Sequence, residues 1–452
     1  LLVCGLFVYL SLLLACFLSC LVCVCFCLAR GRGRGWCVFV CCWWFLLAWF
    51  GCLLFMTSLA DKHLGCPVAF VTDDIVGDDE PVTFLLRKCV DFVNHPHACE
   101  DITVLQENFD TARAIRDMSW EMINIGHWKD VPLSWRRMYS YGSLLKALCE
   151  LGLAKPMEDI LYTCDMGLIL GAPIMENILA KLAAKIHKEL PELICSQDLK
   201  KVECETLPSL DLKFPVTRLA CPSVEHFMTA YFKEEQPVII TKGMDYWPAL
   251  SSQPWSIRHI VTVAGGRTVP VELGSRYTDE EWSQKLMTLA SFVRTYILKE
   301  KGPDVGVGYM AQHQLFHQIP ELRDDICIPT YCCLAEKDEE PDINLWFGPE
   351  GTVSPLHHDP KNNLLAQVFG EKYIRLYGKA QTPFLYPYEE LLLENTSQVD
   401  VENPDFDKFP LFEKAEYTEC VLKAGEMLFI PPKCWHFVRS LSPSLSVSFW
   451  WE

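Results

Sequence analysis

Three side chains near the C-terminal end of the chain have the types and spacing of a metal site. His357 and Asp359 lie two residues apart in SPLHHDPKNN, so on an extended strand both side chains leave the same face while His358 points to the other. His436 follows much later, in KCWHFV after the turn-rich IPPK, where a second strand could return beside the first. Two imidazoles and one carboxylate on one face form the facial triad that binds iron(II) and leaves coordination positions open.

A lysine at a suitable distance along the chain adds a possible cosubstrate anchor. Lys372 lies in GEKYIRLYG, after Asp359, and its ammonium group could pair with the far carboxylate of a bound 2-oxoacid. Arg375 has the opposite strand parity and is expected to face away. Taken alone, Lys372 is equally typical of a solvated surface charge.

The elements that would carry these residues are short strands. PVIIT, TVPVEL, NLLAQVFG, KYIRLYG, EMLFIPP and SLSVSFWW are rich in β-branched and aromatic residues and are bounded by Gly, Pro or charged residues, as strands are. Many short strands indicate a barrel or a two-sheet sandwich. The segments SVEHFMTAYF and EEWSQKLMTLASFVRTYI are predicted to be helices beside the core strands.

An earlier part of the chain is predicted to be helical. From about residue 80 to 192, apolar residues recur at three- and four-residue spacing, as in SLLKALCELGLA and MENILAKLAAKIHKEL. Pro and Gly divide it into short helices, which favours an irregular bundle or a repeat array. We therefore predict an α+β chain with a helical domain over 61–205, followed by a β-rich domain over 206–452. The helical domain would either bind a protein partner or only stabilise its neighbour.

The first 60 residues differ from the rest of the chain. They contain no Asp or Glu and ten of the 23 Cys, and two apolar runs flank the RGRGRG stretch at 30–35. Each run is long enough to cross a bilayer, so a membrane hairpin is one interpretation. The repetitive Leu, Cys, Trp and Phe composition and the absence of Met before Met56 favour a mistaken gene model instead.

Charge and cysteine spacing beyond this segment exclude several classes of function. Residues 61–452 carry 37 basic and 58 acidic side chains, a net charge of −21, which argues against nonspecific binding of nucleic acid. A basic protein partner suits this charge better. The remaining cysteines lack the spacing of a zinc finger and are interpreted as reduced thiols, including the adjacent Cys332 and Cys333.

Three longer segments give a specific resemblance. GYMAQHQLFHQIPEL, WFGPEGTVSPLHHDPKNNLLAQVFGEKYIRLY and GEMLFIPPKCWHFVRSLSPSLSVSFWW are similar to segments of the Jumonji-C family, and the likeness extends over roughly Trp120 to Glu452. The resemblance implies a double-stranded β-helix, the jelly-roll or cupin-like fold, after the helical domain. It also implies an oxygenase that uses iron(II), the cosubstrate 2-oxoglutarate and O2.

The resemblance assigns roles position by position. His357, Asp359 and His436 match the iron ligands. Residues around 2-oxoglutarate are matched by Lys372, which would hold its far carboxylate, and by Tyr309, Ser354, Asn363 and Trp450. Trp346 matches an aromatic wall on the substrate side, where Glu272 and Trp282, in VELGSRYTDEEW, resemble residues that receive an arginine side chain. His358 departs from close relatives, which often carry another polar residue there.

Several activities remain open on these residues. Hydroxylation of arginine side chains in proteins is the first hypothesis, because Glu272 could pair with a guanidinium group on which Trp282 could stack. Demethylation of histone methyl-lysine is the second, and peptidase activity on arginine-methylated histone tails is the third. A noncatalytic binding module is the alternative from another class. Substrates would be basic histone, ribosomal or chromatin-associated proteins, without sequence-specific binding of nucleic acid. The resemblance implies a chromatin regulator in the nucleus, with the cytoplasm also open, and a membrane location only if residues 1–60 are genuine.

Overall fold

The protein is described from a computed structural model that covers residues 58–70, 74–77, 80–95, 101–194, 210–274, 282–300, 302, 305–335, 339–391 and 393–452. The helical part, residues 58–194, contains six α-helices: α1 (Leu59–Leu64), α2 (Pro81–Asn94), α3 (Ile102–Ile123), α4 (Leu133–Gly152), α5 (Met157–Leu170) and α6 (Ile178–His187). A 3-10 turn at Trp128–Asp130 precedes α4. No helix among the described residues is both long and apolar enough to span a membrane.

Helix α4 is the centre of the helical part. Every residue from Met138 to Glu150 is buried, because α3 packs along one side of α4 and α5 along the other. Small residues permit this close packing: a Cβ on Gly142 would lie 2.9 Å from the backbone nitrogen of Arg116 in α3. Asp101 caps α3 by accepting hydrogen bonds from the N–H groups of Thr103 and Val104.

The β part, residues 210–452, contains thirteen described strands in two sheets. Their bounds are β1 (Arg218–Ala220), β2 (Val238–Thr241), β3 (Thr268–Leu273), β4 (Ser283–Thr288), β5 (Gly308–His313), β6 (Asp342–Gly348), β7 (Val353–His358), β8 (Asn362–Phe369), β9 (Lys372–Tyr377), β10 (Thr418–Leu422), β11 (Glu426–Ile430), β12 (Trp435–Ser440) and β13 (Ser444–Trp451). The large sheet has the order β1-β2-β11-β8-β13-β6-β5-β3-β4, and the small sheet has the order β10-β9-β12-β7.

Short helices cover the large sheet. They are α7 (Val224–Phe227), α8 (Ile257–Ala264), α9 (Leu289–Phe292), α10 (Leu315–Gln318) and α11 (Pro320–Arg323), with π-helical turns at Met228–Phe232 and Val293–Ile297. The 3-10 helices of this part lie at Pro248–Leu250, Thr330–Leu334, Lys379–Phe384 and Pro410–Lys414.

The two sheets face each other across a buried apolar layer. The large sheet contributes Ile239, Leu365 and Leu428, and these residues pack with Ile374 and Val438 of the small sheet. Alternate residues of each strand point into this layer, as the period of two requires. This arrangement is the double-stranded β-helix, and the α+β fold predicted from the sequence is confirmed.

One predicted helix is partly wrong. The segment EEWSQKLMTLASFVRTYI forms helical turns only from Leu289 onward, whereas Ser283–Thr288 is the edge strand β4. This strand pairs antiparallel with β3 over its whole length, from Thr268 opposite Thr288 to Leu273 opposite Ser283. The helical spacing of its side chains is overridden because pairing with β3 satisfies the backbone of the segment.

Two predictions about organisation fall largely outside the described residues. The gene-model or membrane-hairpin interpretation concerns residues 1–60, of which only 58–60 are described. The proposed boundary at 205/206 lies in the interval 195–209, which is likewise outside the description. On either side of that interval, the last described helix ends at His187 and the first strand begins at Arg218.

A buried polar network joins the helical part to the β part. The Asp165 carboxylate, on α5, accepts hydrogen bonds from Arg267 Nε at 2.9 Å and Nη2 at 2.6 Å, and from the Thr268 N–H at 2.6 Å. Gln318 Nε2 donates to the same carboxylate at 2.8 Å and to the Thr268 carbonyl at 2.7 Å. Asp165 is 0% exposed and Arg267 is 1% exposed, so water does not solvate these charges.

Candidate metal and cosubstrate site

The three predicted metal ligands come together on the small sheet. β12 pairs antiparallel with β7 so that His436 lies directly opposite His357, and Asp359 follows the end of β7. One ligand atom from each of the three residues lies within 4.8 Å of the other two, and His436 Nε2 is 3.6 Å from Asp359 Oδ2. This geometry can hold one ion with all three protein ligands on the same side.

Backbone carbonyls orient both imidazole rings. His357 Nδ1 lies 2.7 Å from the Pro355 carbonyl oxygen, and His436 Nδ1 lies 3.0 Å from that of Cys434. With Nδ1 protonated and donating, Nε2 is the nitrogen that each ring offers to a metal. Burial, followed by the neighbouring His357, lowers the pKa of His436, which favours the neutral imidazole that a metal requires.

The two residues that follow His357 differ in their position relative to the cluster. The ring of His358 packs edge-on against Trp435 with centroids 4.6 Å apart, so it lies on the face opposite the cluster. The backbone of Asp359 is held by the Lys433 N–H, which donates to its carbonyl at 2.7 Å. Lys433 has a φ of +58°, so the last residue of the IPPK turn is in the left-handed conformation where the turn meets the end of β7.

A cavity of about 300 Å³ opens beside the cluster. Eight of the eleven predicted site residues line it, which shows that the sequence motifs converge on one space: Glu272, Trp282, Tyr309, Trp346, Ser354, His357, Asp359 and Trp450. The other three, Asn363, Lys372 and His436, are buried and lie outside its lining.

Lys372 is buried, and no acidic side chain of the described residues pairs with it. Its side chain is 1% exposed, and its ammonium group contacts the Tyr309 hydroxyl at 3.4 Å and the face of that ring at 5.8 Å. Burial lowers the pKa of Lys372 to about 7. A lysine ammonium group is costly to bury unless an anion pairs with it, so this arrangement fits a ligand carboxylate placed beside Tyr309.

Two other polar groups near the cavity have no hydrogen-bond partner in the part of the chain that the structure describes. The Trp450 indole N–H is buried there with no acceptor, and the Asn363 side-chain oxygen is buried with no donor. The two residues lie opposite each other on β13 and β8. A buried donor without an acceptor is uncommon in native proteins. Together with Lys372, these groups fit a polar, anionic cosubstrate such as 2-oxoglutarate.

Aromatic rings form one wall of the cavity. Trp346 lies between Tyr309 and Trp450, with ring centroids 6.2 and 6.5 Å away. The Trp346 indole N–H donates to Ser448 Oγ at 2.9 Å, which fixes the ring. This wall limits the space that water can occupy next to the metal cluster.

A carboxylate and an indole lie together on another side of the cavity. Glu272, on β3, is paired in register with Tyr309 on β5, and Trp282 Nε1 donates to Glu272 Oε2 at 3.4 Å. Burial raises the pKa of Glu272, and the hydrogen bonds from Trp282 and Gln284 partly oppose this shift. A cationic side chain entering the cavity would favour the charged form of this carboxylate.

The cavity also contains residues that sequence reasoning missed. Gln312 extends the β5 wall, and Leu393, Asn395 and Thr396 come from the segment between β9 and β10. Asn395 is bound to the backbone of His358 in both directions: the His358 N–H donates to its carbonyl at 2.9 Å, and its Nδ2 donates to the His358 carbonyl at 3.1 Å. Nothing in the local composition of this loop indicates that contact.

Comparisons with known proteins agree with this architecture. Residues 224–452 match the cupin-like domain family, and residues 79–199 match the family described as KDM8-like, N-terminal ARM repeats. The chain is 51% identical to lysine-specific demethylase 8 of Danio rerio over 358 residues, covering 76% of this chain and 87% of that protein. It is 41% identical to lysine-specific demethylase JMJ30 of Arabidopsis thaliana over 371 residues, covering 75% and 85%. A more distant relative is the bifunctional peptidase and (3S)-lysyl hydroxylase JMJD7 of Homo sapiens, at 28% identity over 262 residues.

Proposed function

The chain belongs to the Jumonji-C family of iron(II)- and 2-oxoglutarate-dependent oxygenases, and we propose that it oxidises basic side chains of proteins. The proposal assigns iron binding to His357, Asp359 and His436, whose ligand atoms lie within 4.8 Å of one another. It assigns the far carboxylate of 2-oxoglutarate to Lys372, assisted by the Tyr309 hydroxyl that lies 3.4 Å from its ammonium group.

The remaining cosubstrate contacts follow from the groups without partners. Trp450 would donate its indole N–H to a cosubstrate oxygen, and Asn363 and Ser354 would add side-chain hydrogen bonds around it. When bound, iron(II) and 2-oxoglutarate supply an oxidation in which one atom of O2 enters succinate, with release of CO2, and the other enters the substrate. The residues of the chain position the reactants and keep water out of the cavity.

We infer the substrate class from Glu272 and Trp282, which form a pair in the metal cavity. A partly buried carboxylate beside an aromatic ring favours a cationic side chain, since the carboxylate pairs with the charge and the indole face contacts the alkyl or planar group. An acidic or purely apolar substrate would bring no positive charge to Glu272, in a region where burial raises the pKa of its carboxyl group.

Within this class we favour demethylation of N-methyl-lysine. Two relatives that match about three quarters of this chain, at 51% and 41% identity, are named lysine-specific demethylases. Arginyl hydroxylation, the first hypothesis from the residues, becomes the second candidate. It is retained because Trp282 donates to Glu272 at 3.4 Å, an arrangement that also suits a planar guanidinium group. Both reactions would insert an oxygen atom into a C–H bond of the substrate. The hydroxylated N-methyl group of lysine then loses formaldehyde as its C–N bond breaks, whereas hydroxyarginine keeps the oxygen atom.

A mass-spectrometric assay separates these candidates. The full chain, with iron(II) and 2-oxoglutarate, is incubated with matched peptides that contain methyl-lysine, lysine or arginine. Demethylation lowers the peptide mass by 14 Da and hydroxylation raises it by 16 Da. The first candidate is supported if succinate forms only in the presence of peptide and if the methyl-lysine peptide, but neither of the others, gives a −14 Da product. A +16 Da product from the arginine peptide supports the second candidate. If neither the methyl-lysine peptide nor the arginine peptide gives a product, the proposed substrate class is refuted.

Partners and location rest on less specific grounds. We propose that the helical part binds a protein partner, which is supported by its similarity to N-terminal ARM repeats, and that the substrates include histone or other chromatin-associated proteins. Nuclear localisation remains a prediction, to be checked by imaging the tagged full chain in cells.

A further inference from the structure

A second cavity, of about 330 Å³, lies in the helical part. It is formed by α3, α4 and α5 and shares no residue with the metal cavity. Phe109 and Arg116 line it from α3, Lys146 and Glu150 from α4, and Thr163 from α5. The proposed oxygenase function gives this cavity no role.

The floor of this cavity is a buried ion pair that is not fully satisfied. Lys146 is 8% exposed and Glu150 is 5% exposed. The Lys146 ammonium group bonds Glu150 Oε1 and also donates to Thr163 Oγ1 at 2.7 Å. Glu150 Oε2, however, is buried and has no hydrogen-bond donor among the described residues. Buried carboxylate oxygens in native proteins have donors, so this atom fits a donor supplied by a bound ligand.

The walls of the cavity are cationic and aromatic. Lys146 Nζ lies 5.5 Å and Lys155 Nζ lies 6.0 Å from the centroid of the Phe109 ring, and Arg116 lines the same space. Lys155 is exposed and has no acidic partner within salt-bridge distance among the described residues. Asp159, at the rim, is the second carboxylate of the lining. The lining carries three cations and two carboxylates, and Arg116 also contacts Asp117 Oδ1, outside the lining, at 3.5 Å. The lining itself is therefore net positive in a chain whose net charge is −18.

We propose that this cavity binds an acidic side chain of an extended peptide segment from a partner protein. The peptide carboxylate would pair with Lys155 and Arg116, and a neighbouring main-chain N–H would donate to Glu150 Oε2. A peptide presents both groups at once, an acceptor anion and a polar donor. A basic side chain is excluded because Lys146 and Lys155 already flank the Phe109 ring.

A phosphate group fits the same cavity less well. It carries a charge of nearly −2 at neutral pH, so Glu150 and Asp159 would repel it more strongly than they repel a carboxylate. A phosphorylated peptide is therefore a distinguishable outcome of the test.

The test measures binding of labelled peptides to the full chain by fluorescence anisotropy. The probes are octaglutamate, octaserine, octalysine and a phosphoserine peptide of equal length. We expect octaglutamate to bind best, and Lys155→Glu to weaken its binding about tenfold or more, since a charge-assisted contact becomes a repulsion. Arg116→Gln should weaken it several-fold. The matched control is Lys188→Glu, another exposed lysine of the helical part outside the cavity, which should change binding less than about twofold.

Several outcomes would overturn the proposal. Octaglutamate that binds no more tightly than octaserine, or equal loss in the Lys188→Glu control, would show that the cavity does not recognise an acidic peptide. Tighter binding of the phosphoserine peptide, lost in Lys155→Glu, would reassign the cavity to a phosphate group. Succinate production at the metal site should be unchanged in Lys155→Glu, so failure of this proposal is separable from failure of the proposed function.

Discussion

Removing the Asp165 carboxylate should destabilise the whole chain, because Arg267 would then be buried without a counter-ion. Asp165 accepts hydrogen bonds from Arg267, from the Thr268 N–H and from Gln318, at distances of 2.6 to 2.9 Å. In Asp165→Ala the acceptor left to the guanidinium group among the described residues is the neutral Gln318 carbonyl, at 3.0 Å. Breaking a buried ion pair by deleting one partner costs about 3–5 kcal/mol. We expect a loss of stability near the upper end of this range, because the Thr268 N–H and the Gln318 side-chain N–H would also lose this acceptor.

The measurement is urea unfolding of the full chain, followed by tryptophan fluorescence. A loss of about 4 kcal/mol is a large fraction of the stability of an ordinary domain. The matched control is Asp110→Ala, which removes a pair with Arg113 at 3.0 Å on the surface of α3, where both side chains are about half exposed. Exposed pairs of this kind contribute about 0.5 kcal/mol or less.

A double variant separates a charge effect from simple loss of packing. Asp165→Asn leaves the cation unpaired, whereas Asp165→Asn with Arg267→Met removes both charges and keeps the volume. We expect the double variant to be more stable than Asp165→Asn by about 1–2 kcal/mol, because it no longer buries an unpaired cation. Destabilisation of Asp165→Ala below about 1 kcal/mol, or a double variant no better than the single, would refute this account of the interface.

Three further outcomes test the metal cavity. Burial lowers the pKa of Lys372 to about 7, so above pH 7 binding of 2-oxoglutarate must take up a proton, and its KM should rise by up to about tenfold per pH unit between pH 7 and 9. Lys372→Arg should make this profile flat, since a guanidinium group stays charged; a flat profile for the unmodified chain would contradict the assignment. His436→Ala should lose stoichiometric iron by elemental analysis and lower turnover at least about 100-fold, whereas His358→Ala, which changes a residue packed on Trp435, should retain iron. Glu272→Gln should raise KM for a basic peptide about tenfold while 2-oxoglutarate KM is unchanged, and an unaltered peptide KM would remove Glu272 from the substrate site.

The sequence was sufficient to predict the convergence of the metal cluster because strand geometry constrains it strongly. Side chains alternate along a strand, so His357 shares a face with the residue two positions later, and His358 is excluded from that face. Antiparallel pairing then places His436 directly opposite His357. Lys372 could be singled out by its place on a neighbouring strand, although its burial could not be predicted from its type.

Long-range backbone contacts explain what the sequence did not indicate. Asn395 and Thr396 reach the cavity because their segment is bound to β7, with the Ser397 N–H donating to the Leu356 carbonyl at 2.8 Å. The segment has the composition of an ordinary loop, so no local sequence pattern predicts its position at the cavity. The same reason explains β4, whose side-chain spacing is helical and whose conformation is set by its pairing with β3.

The Asp165 network also connects the helical part to the walls of the active site. Asp165 holds the first residue of β3, Thr268, and the strand that begins there carries Glu272. Gln318, bonded to the same carboxylate, contacts His313 Nε2 at 2.9 Å at the end of β5, the strand that carries Tyr309. Because neither Asp165 nor Gln318 is exposed, these bonds are shielded from water and hold β3 and β5 to α5. The helical part therefore supports the walls of the metal cavity, and we expect its deletion to impair catalysis even on a peptide that never contacts it.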